Sequence, residues 1–290
     1  MNRLRFTTGV TWIARKAKDT RLGMPDERDH VEARWKKLAR APRAAPRVVL
    51  SLARLRLAGK LPNLATPIVD FRHTHIVADL HTPLGLQLYR YGLTDTDFDL
   101  LASLVWPGSV VIDCGANVGL FTIAACGGGA GTVYAVEPAN STRLALQRNL
   151  DVARLSNVVV LPYALGDESG IVEFTVMPGD GGLSSFAPAE PGDGITEQVE
   201  VRRLDDVVPS ECWPRVSVVK IDVEGAEALL LDGATELLNS SHPALLIEME
   251  DEHLVRQGSS VQSVRARLLE LGYQQRPGAH LPNELFVYAT

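Results

Sequence analysis

The sequence predicts an α/β protein whose mostly parallel sheet carries helices on both faces. A β-branched run, Val110–Ile112, ends at Asp113 and leads into a Gly-x-x-x-Gly turn. A second apolar run, Thr132–Val136, ends at Glu137, 24 residues after Asp113. Three further short apolar runs of strand length follow, separated by helical patterns: Val158–Leu161, Val216–Ile221 and Ala244–Ile247. Strands that alternate with helices indicate βαβ units and a parallel sheet.

Length and composition fit a folded protein with one α/β domain and an appendage. The chain has 290 residues, of which 46% are hydrophobic, and no apolar run approaches the roughly 18 residues of a membrane span. The N-terminus lacks the apolar core of a secretory signal. Three cysteines, an odd number without a Cys-x-x-Cys pair, favour reduced thiols. We therefore expect a cytoplasmic protein.

Charge divides the chain into a basic beginning and an acidic remainder. Residues 1–60 hold 16 Lys and Arg against 5 Asp and Glu, whereas residues 61–290 hold 13 against 30. We predict a basic helical extension, residues 1–62, followed by a domain at 63–290. The extension has three open interpretations: docking on the acidic domain, peripheral contact with anionic lipid or a partner such as a charged glycan carrier, or a solvated cap. Nucleic acid is not expected, since the acidic domain repels phosphate.

The first third of the chain predicts short elements before the main sheet. Val31, Trp35 and Leu38 have helical spacing, and Val48–Ala58 predicts a second helix. Strands are expected at Ile68–Phe71 and His75–Leu80. Thr94 or Asp95 can then cap a helix that runs through Leu104.

The elements after Glu137 follow in alternation. A helix over Ser141–Leu150 is expected to bury Leu144, Leu146 and Leu150. Alternation in Gly170–Val176 and Glu197–Arg202 predicts a hairpin-like pair at a sheet edge, joined by a Pro/Gly-rich loop over 177–194 that is a candidate lid. The remaining predictions are a strand ending at Asp222, a helix from Ala226, a strand ending at Glu248, a helix over Val261–Leu271, and strands at Tyr273 and Leu285–Tyr288.

The turn after the first sheet strand predicts a nucleoside-bearing cofactor. Glycine at 115 and 119 lets the backbone turn tightly and approach a ligand. Glu137, at the end of the neighbouring strand, can accept hydrogen bonds from both ribose hydroxyls. Asn117 replaces the glycine that a pyrophosphate needs, and the Asp113 carboxylate would repel a pyrophosphate. These departures favour S-adenosylmethionine, which carries an ammonium and a sulfonium, over NAD.

Five segments resemble the FkbM family of S-adenosylmethionine-dependent methyltransferases, and the resemblance covers roughly residues 85–290. The most specific is Lys220-Ile221-Asp222-Val223-Glu224-Gly225-Ala226-Glu227. The others are residues 112–122, Val136-Glu137-Pro138, Asn149-Leu150 and Ala164-Leu165-Gly166-Asp167. Cys114 stands where the family often has valine. The resemblance does not extend to residues 1–60.

The resemblance implies a class I (Rossmann-like) methyltransferase sheet of seven strands and a role for each matching residue. Asp222 would sit close to the cofactor's amino group or to the transferred methyl. Glu137 would hold the ribose. The other implied cofactor contacts are Asp113, Gly115, Asn117 and Gly119 around the methionine end, and Tyr163 and Ala164 against the adenine.

Methyl transfer needs an acceptor that is aligned with the methyl and, for a hydroxyl or ammonium, relieved of a proton. Alignment supplies most of the rate, and a general base adds about 10²–10⁴-fold. Carboxylates that follow the fourth and fifth strands are the candidate catalytic groups: Asp222, Glu224 and Glu248. Asp222 or Glu224 is the predicted base. A divalent metal that orients a sugar diol is conceivable but not indicated by the sequence.

The predicted function is O-methylation of a hydroxyl on a sugar, glycan or secondary metabolite, an acceptor class that the family resemblance implies. N- or carboxyl-methylation on the same fold is one alternative. An NAD-dependent oxidoreductase and a non-catalytic cofactor-binding docking protein are others. The sequence leaves the acceptor, the position that is methylated and the oligomeric state open.

Overall fold

The computed structural model describes residues 44–58, 61, 64–93, 96–176, 184–185 and 195–289. The chain divides into two compact units, residues 1–49 and residues 50–290. The helix predicted around Trp35, the capping positions Thr94 and Asp95, and all of the 177–194 loop except Ser184–Ser185 lie outside the described residues. Among the residues that are described, no helix is long and apolar enough to cross a membrane.

Most strands lie close to the positions that the sequence predicts, but the two-residue strands Ala164–Leu165 and Ser184–Ser185 were not predicted. They are β1 (Ile68–Phe71), β2 (Thr74–Val77), β3 (Val110–Cys114), β4 (Thr132–Val136), β5 (Val158–Leu161), β6 (Ala164–Leu165), β7 (Gly170–Val176), β8 (Ser184–Ser185), β9 (Ile195–Arg202), β10 (Val216–Ile221), β11 (Ala244–Glu248), β12 (Tyr273–Arg276) and β13 (Asn283–Tyr288).

The helices fall between these strands. They are α1 (Ala44–Ala58), α2 (Pro83–Tyr91), α3 (Thr96–Leu104), α4 (Leu120–Gly127), α5 (Asn140–Ala153), α6 (Leu204–Val207), α7 (Glu227–Asp232), α8 (Thr235–Ser241), α9 (Asp251–Arg256) and α10 (Val261–Glu270). A 3₁₀ turn over Ser210–Arg215 precedes β10.

The main sheet has seven strands in the order β12-β13-β11-β10-β3-β4-β5. The five strands from β11 to β5 pair in parallel, and β13 is antiparallel to both β11 and β12. This confirms the predicted class I methyltransferase sheet. Strand order reverses between β3 and β10, and ligands of open α/β sheets bind beyond the carboxyl ends of the strands at such a point.

The two central strands form the middle of the core. Every residue of β3 and of β10 is buried, as expected for parallel strands covered by helices on both faces. Asp113 and Lys220 are the charged residues within these two strands, and both are at most 1% exposed. Burying a charged group is costly, so the groups that pair with Asp113 and Lys220 help to locate a functional site.

Several predicted elements differ from the structure. The β7–β9 pair belongs to a separate four-stranded sheet with β6 and β8, not to the edge of the main sheet. Leu144 is 66% exposed, because the buried face of α5 is defined by Leu146 and Leu150. The sequence analysis also missed α2, which Thr82 caps through a hydrogen bond from the Gly85 amide.

The second half of α1 belongs to the unit formed by residues 50–290 and packs within it. Ser51 is buried and accepts a hydrogen bond from Arg90 Nε at 2.9 Å. The Arg54 guanidinium lies over the Tyr89 ring, 5.6 Å from its centroid. Residues 1–43 of the predicted basic extension lie outside the described residues.

Candidate functional site

A cleft opens at the carboxyl ends of β3, β4 and β10. Turns after these three strands contribute most of its lining, and the second sheet contributes one aromatic ring. The lining residues are Gly115, Asn117, Val136, Glu137, Pro138, Thr142, Tyr163, Ala164, Leu165, Phe174, Asp222, Val223 and Glu224. The cleft therefore lies at the position that the sequence predicts for a cofactor.

Gly115 brings two of the cleft-forming turns into contact. Its φ is +78°, and an added Cβ would lie 1.7 Å from the backbone oxygen of Asp222. The Asp222 amide donates to Cys114 O at 3.0 Å, which holds the same two turns together. Only a residue without a Cβ allows this approach, so Gly115 places Asp222 at the edge of the cleft.

Glu137 is fixed by backbone amides at the end of β4. Its Oε2 accepts from the Asn117 amide at 2.9 Å, and its Oε1 accepts from the Ala139 amide at 3.0 Å. The side chain is buried, and burial raises the pKa of Glu137 to about 7 despite these two amide donors. Each carboxylate oxygen has a second acceptor site, so Glu137 can also receive hydroxyl donors from the cleft.

Asp113 and Gly119 stand behind the cleft lining. The Asp113 carboxylate is buried and accepts a hydrogen bond from Thr122 Oγ in α4, and burial raises its pKa to about 6. Gly119 has a φ of +93° and begins α4, where an added Cβ would lie 2.5 Å from Leu146 Cδ1. Both residues thus shape the turn that carries Asn117.

Tyr163, Ala164 and Phe174 line one side of the cleft. The Arg202 guanidinium lies 5.7 Å from the centroid of the Tyr163 ring, on the side of the second sheet. Phe174 comes from β7, one strand of the predicted hairpin-like pair. The separate sheet therefore adds an aromatic ring to the cleft that the sequence pattern did not predict.

A buried lysine connects two of the predicted catalytic carboxylates. Lys220 Nζ lies 3.4 Å from Asp222 Oδ2 and 3.9 Å from Glu248 Oε2. The same nitrogen is 4.9 Å from the centroid of the Phe121 ring. Its side chain is 1% exposed, so the two carboxylates balance an ammonium that water does not solvate.

The predicted catalytic carboxylates do come together, and they repel one another. Burial, followed by the charges of Asp222 and Glu248, raises the pKa of Glu224 to about 9. Burial and the charge of Asp222 raise the pKa of Glu248 to about 8. Glu227 takes a different position, since its Oε1 accepts from the amides of Val223 and Gly225. Glu227 thus holds the loop after β10 in place. The other three carboxylates lie near one another after the ends of β10 and β11.

Two residues of this cluster had no assigned role in the sequence analysis, Lys220 and His253. Lys220 has a sequence signal, because it is an isolated charge within an apolar strand. His253 has none, since it follows Glu248 by five positions and meets Glu224 only through the fold. Within the described ranges, no group of three His, Cys, Asp or Glu side chains is arranged to hold a metal ion.

Residues 113–274, more than half of the chain, match the methyltransferase FkbM domain. The chain belongs to the FkbM methyltransferase family. It is accordingly an S-adenosylmethionine-dependent methyltransferase, and three of the five segments that carried the resemblance fall at the carboxyl ends of β3, β4 and β10.

Individual relatives have low sequence identity to this chain. Methyltransferase sdnD of Sordaria araneosa is 29% identical over 179 residues, covering 51% of this chain and 68% of that protein. The 31-O-demethyl-FK506 methyltransferase FkbM of Streptomyces tacrolimicus is 30% identical over 206 residues, covering 61% and 75%. The crystal structure of methyltransferase FkbM from Methylobacillus flagellatus KT has a TM-score of 0.43 and 18% identity, covering 82% of this chain and 60% of that chain.

Proposed function

We propose that this enzyme transfers a methyl group from S-adenosylmethionine to a hydroxyl of a sugar, glycan or secondary metabolite. The observation that carries the proposal is that Glu137, Asp222 and Glu224 line the same cleft, at the point where the strand order reverses. Names of relatives support an oxygen-bearing acceptor. One is the 31-O-demethyl-FK506 methyltransferase, and another is the hexuronic acid methyltransferase AglP of Haloferax volcanii, 31% identical over 131 residues, covering 45% of this chain and 52% of that protein.

The lining residues fit the parts of S-adenosylmethionine, which when bound supplies an electrophilic methyl on a sulfonium. Glu137 has acceptor capacity for the two ribose hydroxyls. Tyr163 and Ala164 offer an aromatic and a small apolar surface to the adenine. Asn117 and Asp222 line the part of the cleft around Gly115, and we place the methionine end of the cofactor there. Asp113 and Gly119 act on this site through the turn that they shape.

The carboxylates after β10 and β11 provide the chemistry for a hydroxyl acceptor. Asp222 is paired with Lys220, and we assign it to the amino group of the cofactor. Glu224 lines the cleft without such a cation and is our candidate for the group that takes the hydroxyl proton. Glu248 lies next to Asp222 and shares the Lys220 ammonium with it.

Two titrations and one transfer assay test this proposal. We expect the full chain to bind S-adenosylhomocysteine and not NADH in calorimetry, because the turn lacks a pyrophosphate site. Incubation with [methyl-³H]S-adenosylmethionine and a small-molecule extract should label products whose methyl survives alkali and is not retained by cation exchange. Alkali-labile label would indicate a methyl ester, retained label would indicate an N-methyl group, and NADH binding without S-adenosylhomocysteine binding would overturn the proposal.

Replacing Glu137 with alanine should weaken S-adenosylhomocysteine binding by about 1–3 kcal/mol, the range for losing a hydrogen-bonded charged group. This corresponds to a roughly 5–150-fold rise in Kd. Calorimetry on the full chain measures it. Unchanged affinity would remove Glu137 from the ribose role.

Cofactor affinity should also rise with pH. The pKa of Glu137 is about 7 in the folded protein, and ribose hydroxyls donate best to its ionised form. Below about pH 7 the carboxyl binds a proton that the ligand must displace, so affinity should fall by up to about tenfold per pH unit. Glu137→Gln should remove this component from the calorimetric pH series. An identical slope in Glu137→Gln would contradict the assignment.

A further inference from the structure

His253 is in direct contact with the carboxylate that lines the cleft. Its Nδ1 lies 2.6 Å from Glu224 Oε2, while its Nε2 lies 3.8 Å from Glu250 Oε2. The imidazole is 19% exposed. The ring thus bridges a carboxylate of the cleft and a more exposed carboxylate at the start of α9.

The backbone around this contact is closely packed. Glu224 and Gly225 have φ values of +52° and +107°. A Cβ on Gly225 would lie 2.5 Å from the backbone oxygen of His253. The loop after β10 therefore rests directly on the first turn of α9. This packing sets the distance between Glu224 and His253 through the main chain.

Glu224 needs a cationic or donating partner to serve as a base. Burial and the carboxylates of Asp222, Glu248, Glu227 and Glu250 raise the pKa of Glu224 to about 9. With His253 in place, Glu224 therefore holds its proton in most molecules at neutral pH, and a donor that stabilises its ionised form increases the fraction that can act as a base. Lys220, the nearby ammonium, is instead paired with Asp222 and Glu248.

We propose that His253 is a positioning residue that stabilises the ionised form of Glu224, the form that accepts the proton of the acceptor hydroxyl. The inference rests on the proposed methyl transfer to a hydroxyl. The Nδ1–H of His253 donates to Oε2 of Glu224, which leaves Oε1 for the acceptor. The O–H bond of the acceptor breaks, its proton goes to Glu224, and the electron pair on the acceptor oxygen forms the bond to the methyl as the methyl–sulfur bond breaks. Glu224 then gives its proton to solvent.

The protonation of Glu224 can be measured without an acceptor. In full-length protein labelled with ¹³C at glutamate Cδ, the signal that disappears in Glu224→Gln identifies Glu224. In His253→Leu we expect the titration midpoint of that signal to rise by at least about one pH unit, because a hydrogen bond to the charged form is lost. His253→Asn keeps a donor near the Nδ1 position and should fall between the two. Equal midpoints in all three proteins would overturn the inference.

His75→Leu is the matched control, since His75 is a solvent-exposed histidine that also pairs with a carboxylate, that of Asp70. It should leave the Glu224 signal unchanged. Retained signals from the other glutamates in His253→Leu would show that this variant is folded. If those signals change throughout, His253→Leu is not correctly folded, and His253→Asn becomes the test. The titration midpoint of Glu224 in His253→Asn must then exceed that of the wild type.

The pH profile of methyl transfer gives an independent readout. With the extract fraction that the wild type labels, His253→Leu should show at least about tenfold lower turnover than the wild type at neutral pH and should recover only as pH rises above about 9. Its affinity for S-adenosylhomocysteine should stay within about twofold of wild type, a split that indicates lost proton transfer and not lost binding. A profile identical to wild type would refute the role of His253 while leaving methyl transfer established. A wild type that neither binds S-adenosylhomocysteine nor labels any fraction would instead refute the proposed function.

Discussion

Glu224→Gln is expected to reduce the turnover of methyl transfer by about 10²–10⁴-fold, the contribution of a general base. Glutamine keeps the size of the side chain and can still contact His253, but it cannot take a proton from the acceptor. Because Glu224 is assigned to the acceptor and not to the cofactor, affinity for S-adenosylhomocysteine should change by less than about threefold. Single-turnover rates with labelled S-adenosylmethionine, together with calorimetry, measure the two quantities.

Glu252→Gln is the matched control on the neighbouring helix α9. Its carboxylate is 75% exposed and pairs with Arg256, so neither rate nor affinity should change. Asp222→Asn should show the opposite pattern to Glu224→Gln, with weaker cofactor binding as its main defect. Full turnover in Glu224→Gln at saturating cofactor would show that this carboxylate is not the base.

Gly115→Ala is expected to remove measurable S-adenosylhomocysteine binding and to lower the melting temperature of the protein. The new Cβ would lie 1.7 Å from the backbone oxygen of Asp222, which is main chain and cannot rotate away. The turn after β3 and the loop after β10 would have to separate. Because both segments line the cleft, their separation would change the cofactor site. Calorimetry and thermal unfolding of the full chain report both effects.

Gly108→Ala separates the steric effect from backbone strain. Gly108 has a φ of +81°, close to that of Gly115, but nothing lies within 4 Å of an added Cβ. This variant should show only the cost of a left-handed backbone for alanine, about 1–2 kcal/mol of stability, with cofactor affinity unchanged. If the two variants lose the same stability and affinity, close contact between the turns is not what Gly115 provides.

The centre of the main sheet could be predicted because β3 and β10 are buried on both faces. Val110–Ile112 is β-branched without interruption, and Val216–Ile221 is β-branched apart from Ser217 and Lys220, a composition typical of central parallel strands. The pairing of β7 with β9 was also predicted from alternation. Their separation into a second sheet was not, because alternation indicates one exposed face but does not say which sheet a strand joins.

The site was partly predictable for a related reason. Glu137 and Asp222 each end a parallel strand, and the ends of neighbouring parallel strands meet at one edge of the sheet. The inward position of Asp113 depends on its partner Thr122, and the position of His253 depends on how α9 packs against the loop after β10. Contacts of this kind depend on how one element packs against another, so periodicity and spacing carry no signal for them.

A crystal structure of the full chain with S-adenosylhomocysteine tests the cofactor site most directly. We predict that both ribose hydroxyls lie within hydrogen-bonding distance of the Glu137 carboxylate, with the adenine against Tyr163 and Ala164. The homocysteine amino group should then point toward Asp222. Electron density for the ligand elsewhere, or a ribose turned away from Glu137, would contradict this account.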